Sequence, residues 1–173
     1  MIRLALLTAL ALLSTASLAQ AQTTPVIHNH AAADLIDGSV HPEQIPDVIA
    51  YRLALLSLTT PANPTYYQTS RQQAQFSEVG LSEPEKSALT PILAKFNSDY
   101  HSLIQSYNAT ATALNAKGER ADISSFLVQR DQLVQAVHDQ IKGTFATDRW
   151  AHFDAWVQQQ KTRMKVARQE ASR

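Results

Sequence analysis

The 173-residue chain contains no cysteine, and this absence removes several chemistries at once. Disulfides, zinc–thiolate sites, iron–sulfur clusters, covalently attached c-type haem and thiol catalysis all require cysteine. Glycine is also scarce, with four residues that fall where predicted elements meet, so none is left to build a phosphate-cradling loop. Met164 is the only methionine after Met1, which disfavours a haem held by histidine and methionine. We therefore expect no cofactor.

Net charge and catalytic motifs are missing as well. The 15 basic and 15 acidic side chains cancel, so bulk electrostatics gives no attraction to nucleic acid or to a membrane surface. The zinc-protease pattern His-Glu-x-x-His and the serine-nucleophile pattern Gly-x-Ser-x-Gly do not occur. No glutamate is followed by histidine three residues later, as a di-iron bundle would need. The sequence predicts a protein that is not an enzyme and binds no nucleic acid.

Residues 1–21 have the layout of a signal peptide. Arg3 is followed by the ten-residue apolar run LALLTALALL and then by small residues, with cleavage after Ala19 or Ala21 equally compatible with the pattern. Ten residues at 1.5 Å each are too short to cross about 30 Å of hydrocarbon. No later segment could span a membrane. We expect a periplasmic or secreted protein, which without disulfides must be stabilised by apolar packing.

The mature chain divides into two parts. Residues 22–45 contain the turn formers Pro25, Asp37-Gly38 and Pro42 and no regular apolar period, which predicts a flexible N-terminal segment. Residues 46–173 show helical periodicity, which predicts one helical domain. The fold class is therefore all-α, with four to five helices that include a long antiparallel hairpin or bundle.

Caps and breakers set the expected helix boundaries. Ser82 and Glu85 form a capping-box pattern before the longest apolar series, and Pro91 predicts a kink or break near residues 87–90. Gly143 is expected to end the fourth helix at its C′ position. The last helix is expected to continue into a frayed basic end. The predicted helices span approximately residues 46–58, 65–78, 82–114, 119–142 and 147 onward.

Three histidines supply the only cluster of plausible metal ligands. His28 and His30 are two residues apart on an extended segment, and His41 lies near them with aspartates at positions 34 and 37. Imidazole and carboxylate groups can together bind a divalent ion. A metal-binding periplasmic module is therefore the alternative functional hypothesis. The competing interpretation is a solvated tail with incidental histidines.

The C-terminal region supplies the candidate partner-binding residues. Trp150 and Trp156 are six residues apart, about 600° of helix rotation, so both cannot face one narrow seam. One of them is expected to be exposed or to pack under the N-terminal segment. Lys161, Lys165 and Arg168 make the end of the chain basic. Cations there could contact anionic lipid, cell-wall polymer or an acidic client, or could simply be favoured by the dipole of the last helix.

Two motifs carry a resemblance to known families. The segment LSEPE at residues 81–85 resembles the Leu-Thr-x-x-Gln signature that opens the long helices of periplasmic helical-hairpin chaperones of the spheroplast-protein-Y type. A second copy at residues 145–149, FATDR, departs from that signature at nearly every position, and the likeness covers at most residues 79–168. The blocks IDGS (36–39), IPD (45–47) with AYR (50–52), and QK to MK (160–165) resemble a group of uncharacterised secreted bacterial all-helical proteins.

The chaperone resemblance implies binding of unfolded clients on a concave apolar and basic surface, without nucleotide. Taken with the exclusions above, it favours an exported, non-enzymatic protein that binds other proteins or envelope components through amphipathic helix faces. A homodimer is a further possibility. Whether the helices close into a filled bundle or leave an open apolar groove decides which surface is available.

Overall fold

A computed structural model describes residues 35–171 and is almost entirely helical, which confirms the all-α fold class. Five helices of 12 to 33 residues are joined by short turns, and a two-stranded sheet ties the two ends of the described chain together. Within residues 35–171 no helix is both long and apolar enough to cross a bilayer. The elements are β1 (Leu35–Asp37), α1 (Asp47–Leu58), α2 (Tyr66–Val79), α3 (Glu83–Asn115), α4 (Ser124–Thr144), α5 (Thr147–Gln160), β2 (Lys165–Ala167) and α6 (Arg168–Ala171).

Local capping sequences fix the start of the two central helices. One carboxylate oxygen of Glu85 accepts hydrogen bonds from the backbone N–H and the hydroxyl of Ser82, each at 2.7 Å, so the predicted capping box is confirmed. Thr65 and Gln68 form a second capping box at the start of α2. Gly80 ends α2 with a φ of 74°, a left-handed conformation that glycine adopts without steric cost.

Pro91 does not break α3. The helix is continuous from Glu83 to Asn115, and Thr90 donates its hydroxyl to the carbonyl of Lys86 at 2.7 Å instead of capping a new helix. Proline removes one hydrogen bond from the ladder, but its neighbours Leu89 and Ile92 are buried in the core. Tertiary packing on both sides of the proline therefore holds the helix together.

The fourth helix is shorter at its start and longer at its end than predicted. It begins at Ser124, whose backbone N–H donates to the carboxylate of Asp122 at 2.9 Å, instead of near residue 119. It continues through Gly143 to Thr144, so the prediction that Gly143 ends it was wrong. The chain turns at Phe145, whose side chain is buried and whose N–H still bonds to the carbonyl of Ile141.

The two ends of the helical domain are joined by a small sheet that periodicity did not reveal. β1 and β2 pair antiparallel with Ile36 opposite Val166, and both side chains pack with Ile45 and Ile49. Residues 35–45 therefore belong to the folded body and not to a flexible segment, and the last helix ends at Gln160 instead of fraying. Three-residue strands carry too few alternations to be recognised, and the apolar contacts that order them come from distant parts of the chain.

The buried side chains are confined to one end of the long α3–α4 hairpin. In α3 the last buried residue is Phe96, and in α4 the first is Arg130. These halves of α3 and α4 pack with α1, α2 and α5 into a filled core. The rest of the hairpin extends beyond that core, so the molecule has a filled base and an open projection.

Candidate functional site

The projecting part of the hairpin, residues 97–129, is called the arm here. None of these residues is buried. At about 1.5 Å per residue, the part of α3 beyond Phe96 is roughly 28 Å long. The arm is thus a pair of helices roughly 28 Å long that is attached to the base at one end.

The helical shaft of the arm, residues 100–115 and 124–129, contains no Asp, Glu, Lys or Arg. Exposed helices of soluble proteins normally carry charged residues on the face turned to water. Here serine, threonine, asparagine, glutamine and alanine take their place, together with the single exposed histidine His101. The charged residues of the arm lie at its ends: Asp99 at the base, and Lys117, Glu119, Arg120 and Asp122 at the tip.

The apolar side chains of the arm are only partly covered. Tyr107 of α3 contacts Phe126 of α4 with ring centroids 4.9 Å apart, and this pair links the two helices. Both rings remain half-buried, and Val128 is 56% exposed. Two helices alone bury too little apolar surface to cover the stripe that the sequence predicts. A partner that covers the arm would therefore bury apolar surface that the fold leaves in contact with water.

The two tryptophans singled out in the sequence both pack at the base. Trp156 is buried and Trp150 is half-buried, and each contacts Phe153 at a centroid distance near 6 Å. Trp150 also stacks on Tyr51 of α1. Because α5 has neighbours in α1, α2 and α4, opposite sides of it are covered. Neither tryptophan is fully exposed, and whether one packs under the N-terminal segment stays a prediction, because residues 22–34 lie outside the described part of the chain.

A small cavity of about 150 Å³ lies between α1, α4 and α5 beside these rings. Tyr51 donates its hydroxyl to the carboxylate of Asp154 there, and the imidazole of His138 meets the Tyr51 ring edge-on. Burial raises the pKa of Tyr51 above its ordinary value, and the hydrogen bond to Asp154 adds to the effect. The phenol therefore stays protonated and joins α1 to α5 as a hydrogen-bond donor.

The basic residues of the C-terminal region are engaged within the chain. Lys161 is buried, and its ammonium group lies 2.6 Å from the carboxylate of Asp47, which lowers the pKa of Asp47. Lys165 is exposed and lies 3.5 Å from Asp37 across the sheet. Arg168 is exposed and also interacts within the chain. Lys161 thus presents no charge to a partner in this structure, because α1 supplies its counter-ion.

The predicted metal ligands are not brought together. His28 and His30 lie outside the described residues. His41 is exposed and its Nδ1 is 3.2 Å from the carboxylate of Glu43. Among residues 35–171 no three histidine, aspartate or glutamate side chains are placed to hold a metal ion. The metal-binding hypothesis thus rests on His28 and His30 and stays a prediction.

An ion cluster with two buried arginines, which the sequence did not suggest, fastens α6 to the base. Arg52 of α1 and Arg130 of α4 are both buried, and both donate to one carboxylate oxygen of Glu170, at 2.6 and 2.9 Å. Arg130 also bonds to its neighbour Asp131. In a sequence, isolated arginines in amphipathic helices are typical of surface positions. Their partner Glu170 is identified only by the fold, which brings α1, α4 and α6 together.

No protein-family model, curated protein or solved structure matches this chain. The resemblance to helical-hairpin chaperones therefore stays a prediction.

Proposed function

We propose that this chain is an exported, non-enzymatic protein that binds other proteins or cell-envelope components through the arm, in the manner of a chaperone for incompletely folded chains. The observation that carries the proposal is the shaft of the arm, whose helices hold no charged residue and bury none of their apolar side chains completely. Removing apolar surface from water contributes about 25 cal/mol per Å². A partner that covers the shaft gains this energy without stripping water from a charge.

The arm fits one part of what the chaperone resemblance implies and departs from another. It offers apolar surface on a helical hairpin that projects from a stable base, which suits a binding element. Its shaft is not basic, since the positive charges Lys117 and Arg120 are confined to the tip and stand beside Glu119 and Asp122. The proposal therefore assigns recognition to apolar contact and not to attraction of acidic clients.

We expect the purified secreted chain to slow the aggregation of reduced α-lactalbumin at about equimolar ratio. Light scattering after addition of dithiothreitol measures the effect, and the reductant cannot alter a chain that lacks cysteine. The double variant Ala109→Glu, Val128→Glu places two carboxylates on exposed positions of the shaft. Burying an unpaired charge costs about 1–3 kcal/mol or more, so the variant should need at least about tenfold more protein for equal suppression.

The matched control is Gln73→Glu, Ala151→Glu, which adds the same charge at exposed positions on α2 and α5 of the base. Circular dichroism should show both double variants folded, since none of the four positions is buried. The control is expected to suppress aggregation as the parent chain does. Failure of the parent chain at several-fold excess, or equal loss in both double variants, would contradict a binding role for the arm.

A further inference from the structure

A groove lies where the arm joins the base. Its volume is about 430 Å³, inside the range of 300–1,000 Å³ that is usual for ligand sites. One wall is the loop between α1 and α2, with Pro61 and Pro64, and the other is α3, with Ala94 and Asn97. Leu93, which is buried, forms part of the lining.

Two hydrogen bonds hold the start of the loop between α1 and α2 against α2 and α3. Gln72 of α2 donates its side-chain amide to the carbonyl of Leu58 at 2.7 Å, and Asn97 of α3 donates to the carbonyl of Thr60 at 3.3 Å. Two prolines further restrict the loop backbone. The groove is therefore formed before any ligand arrives, which lowers the entropy cost of binding.

The uncharged lining of the groove and the uncharged shaft of the arm follow one another along α3. None of the ten residues that line the groove is charged. Its lining reaches Ser98, and the uncharged shaft begins at residue 100. Asp99 lies between them, and Lys95 neutralises it at 2.7 Å. A charged occupant would lose water without gaining a counter-ion, so the surface selects an uncharged one.

Two exposed tyrosines begin α2, directly after the loop that forms one wall of the groove. Tyr66 and Tyr67 follow Pro64 closely and are 88% and 74% exposed, the highest values among the large apolar residues of the described chain. Tyrosine gives a large contact area with a polar tip and is enriched in protein interfaces. An elongated uncharged surface with tyrosines at one end suits a segment of polypeptide better than a compact small molecule.

We propose that this groove is the anchor site of the arm, which takes an apolar or aromatic side chain from an uncharged polypeptide segment whose flanking residues lie along α3. The proposal rests on the proposed function and names the chemistry of the partner. The groove holds the anchoring side chain against Leu93, and the arm covers the residues that follow it.

The test titrates the ¹⁵N-labelled chain with the blocked peptide acetyl-Ser-Ser-Phe-Ser-Ser-amide and follows amide chemical shifts. We expect shifts at Gln72, Ala94 and Asn97 with millimolar affinity, and at least about a tenfold weaker interaction when the peptide phenylalanine is replaced by glutamate. Ala94→Phe fills the groove from an exposed helix position and should abolish the shifts. The matched control Ala155→Phe, exposed on α5, should leave them unchanged.

The anchor site would be overturned if the shift changes occurred only at other residues, or if no shift changed at 10-fold peptide excess over a millimolar protein sample. Peptide binding that survives Ala94→Phe in a folded protein would also overturn it. Binding of p-cresol with the same affinity as the peptide would assign the groove to small aromatic molecules and overturn it too. If the Ala94→Phe variant suppresses α-lactalbumin aggregation as well as the parent chain does, the anchor site is rejected but the proposed role of the arm is kept. Peptide binding without any suppression would instead reject the chaperone-like function.

Discussion

Replacing Gly38 by alanine is expected to destabilise the fold by about 3 kcal/mol, the upper end of the cost of substitutions that force atoms into occupied core space. A Cβ at this position would lie 1.8 Å from the carbonyl oxygen of Lys161 and 2.8 Å from the Cδ1 of Ile45. The nearer atom belongs to the backbone and cannot rotate away. Relief requires the turn after β1 to separate from residues 161–164, which breaks the bond from the Gly38 N–H to the carbonyl of Met164.

The matched control is Gly143→Ala. Nothing lies within 4 Å of a Cβ added there, and the residue sits in the last turn of α4. Alanine is favoured over glycine in a helix by about 0.5–1 kcal/mol, so this variant should be slightly more stable than the parent chain. Urea unfolding followed by circular dichroism at 222 nm measures both. Equal stability of the two variants would show that the close approach at Gly38 is not a constraint.

The contrast between these two glycines shows what a sequence can predict. Capping boxes and apolar periods are local, so the starts of α1, α3 and α5 and the all-α class followed from neighbouring residues such as Ser82 and Glu85. Gly38 was placed correctly at a turn, but the reason that it must be glycine lies in Lys161, more than a hundred residues away. Local signals mark where an element ends and do not show what lies against it.

The candidate site was predictable only in part. The long amphipathic hairpin was expected, and its charge-free shaft is visible in the sequence as residues 100–115, although it was not singled out. Its exposure could not be predicted, because the same apolar stripe is buried up to Phe96 and half-covered beyond it. Which half of α3 is covered depends on the lengths of α1, α2 and α5, and the sequence of α3 contains no information about those lengths.

The ion-pair partners of the charged residues were the least predictable feature of the fold. The second prediction with a large expected effect concerns one of these residues, Glu170. We expect Glu170→Gln to lower the free energy of unfolding by about 2–3 kcal/mol. Removing one partner of a buried ion pair typically costs about 3–5 kcal/mol, because the remaining charge is left in a poor solvent. Arg52 and Arg130 are both buried and share this one carboxylate. The expected value lies below that range because the Glu170 side chain is itself 29% exposed, so water partly screens the cluster.

The matched control for this variant is Glu119→Gln at the exposed tip of the arm, which removes the same charge and is expected to change stability by less than about 0.5 kcal/mol. Hydrogen exchange distinguishes local detachment of α6 from a loss of global stability. The amides that pair β1 with β2, near Ile36 and Val166, should exchange faster in Glu170→Gln, while those of Leu93 and Phe96 should follow global stability. Equal unfolding free energies for the two variants would contradict the ion cluster.

The dependence on pH gives this cluster a second test. Burial alone would raise the pKa of Glu170, but the hydrogen bond and charge of Arg52, together with the charge of Arg130, outweigh burial and hold that pKa below the ordinary value of 4.5. A carboxyl whose pKa is lowered on folding contributes its full stability above the unfolded pKa and loses it as the pH falls through the folded one. The difference in unfolding free energy between the parent chain and Glu170→Gln should therefore be constant near neutral pH and shrink below about pH 4.5, because protonation then removes the same charge that the substitution removes. Urea titrations at pH 7, 5, 4 and 3 measure it, and a difference that stays constant or grows on acidification would show that Glu170 does not act through its charge.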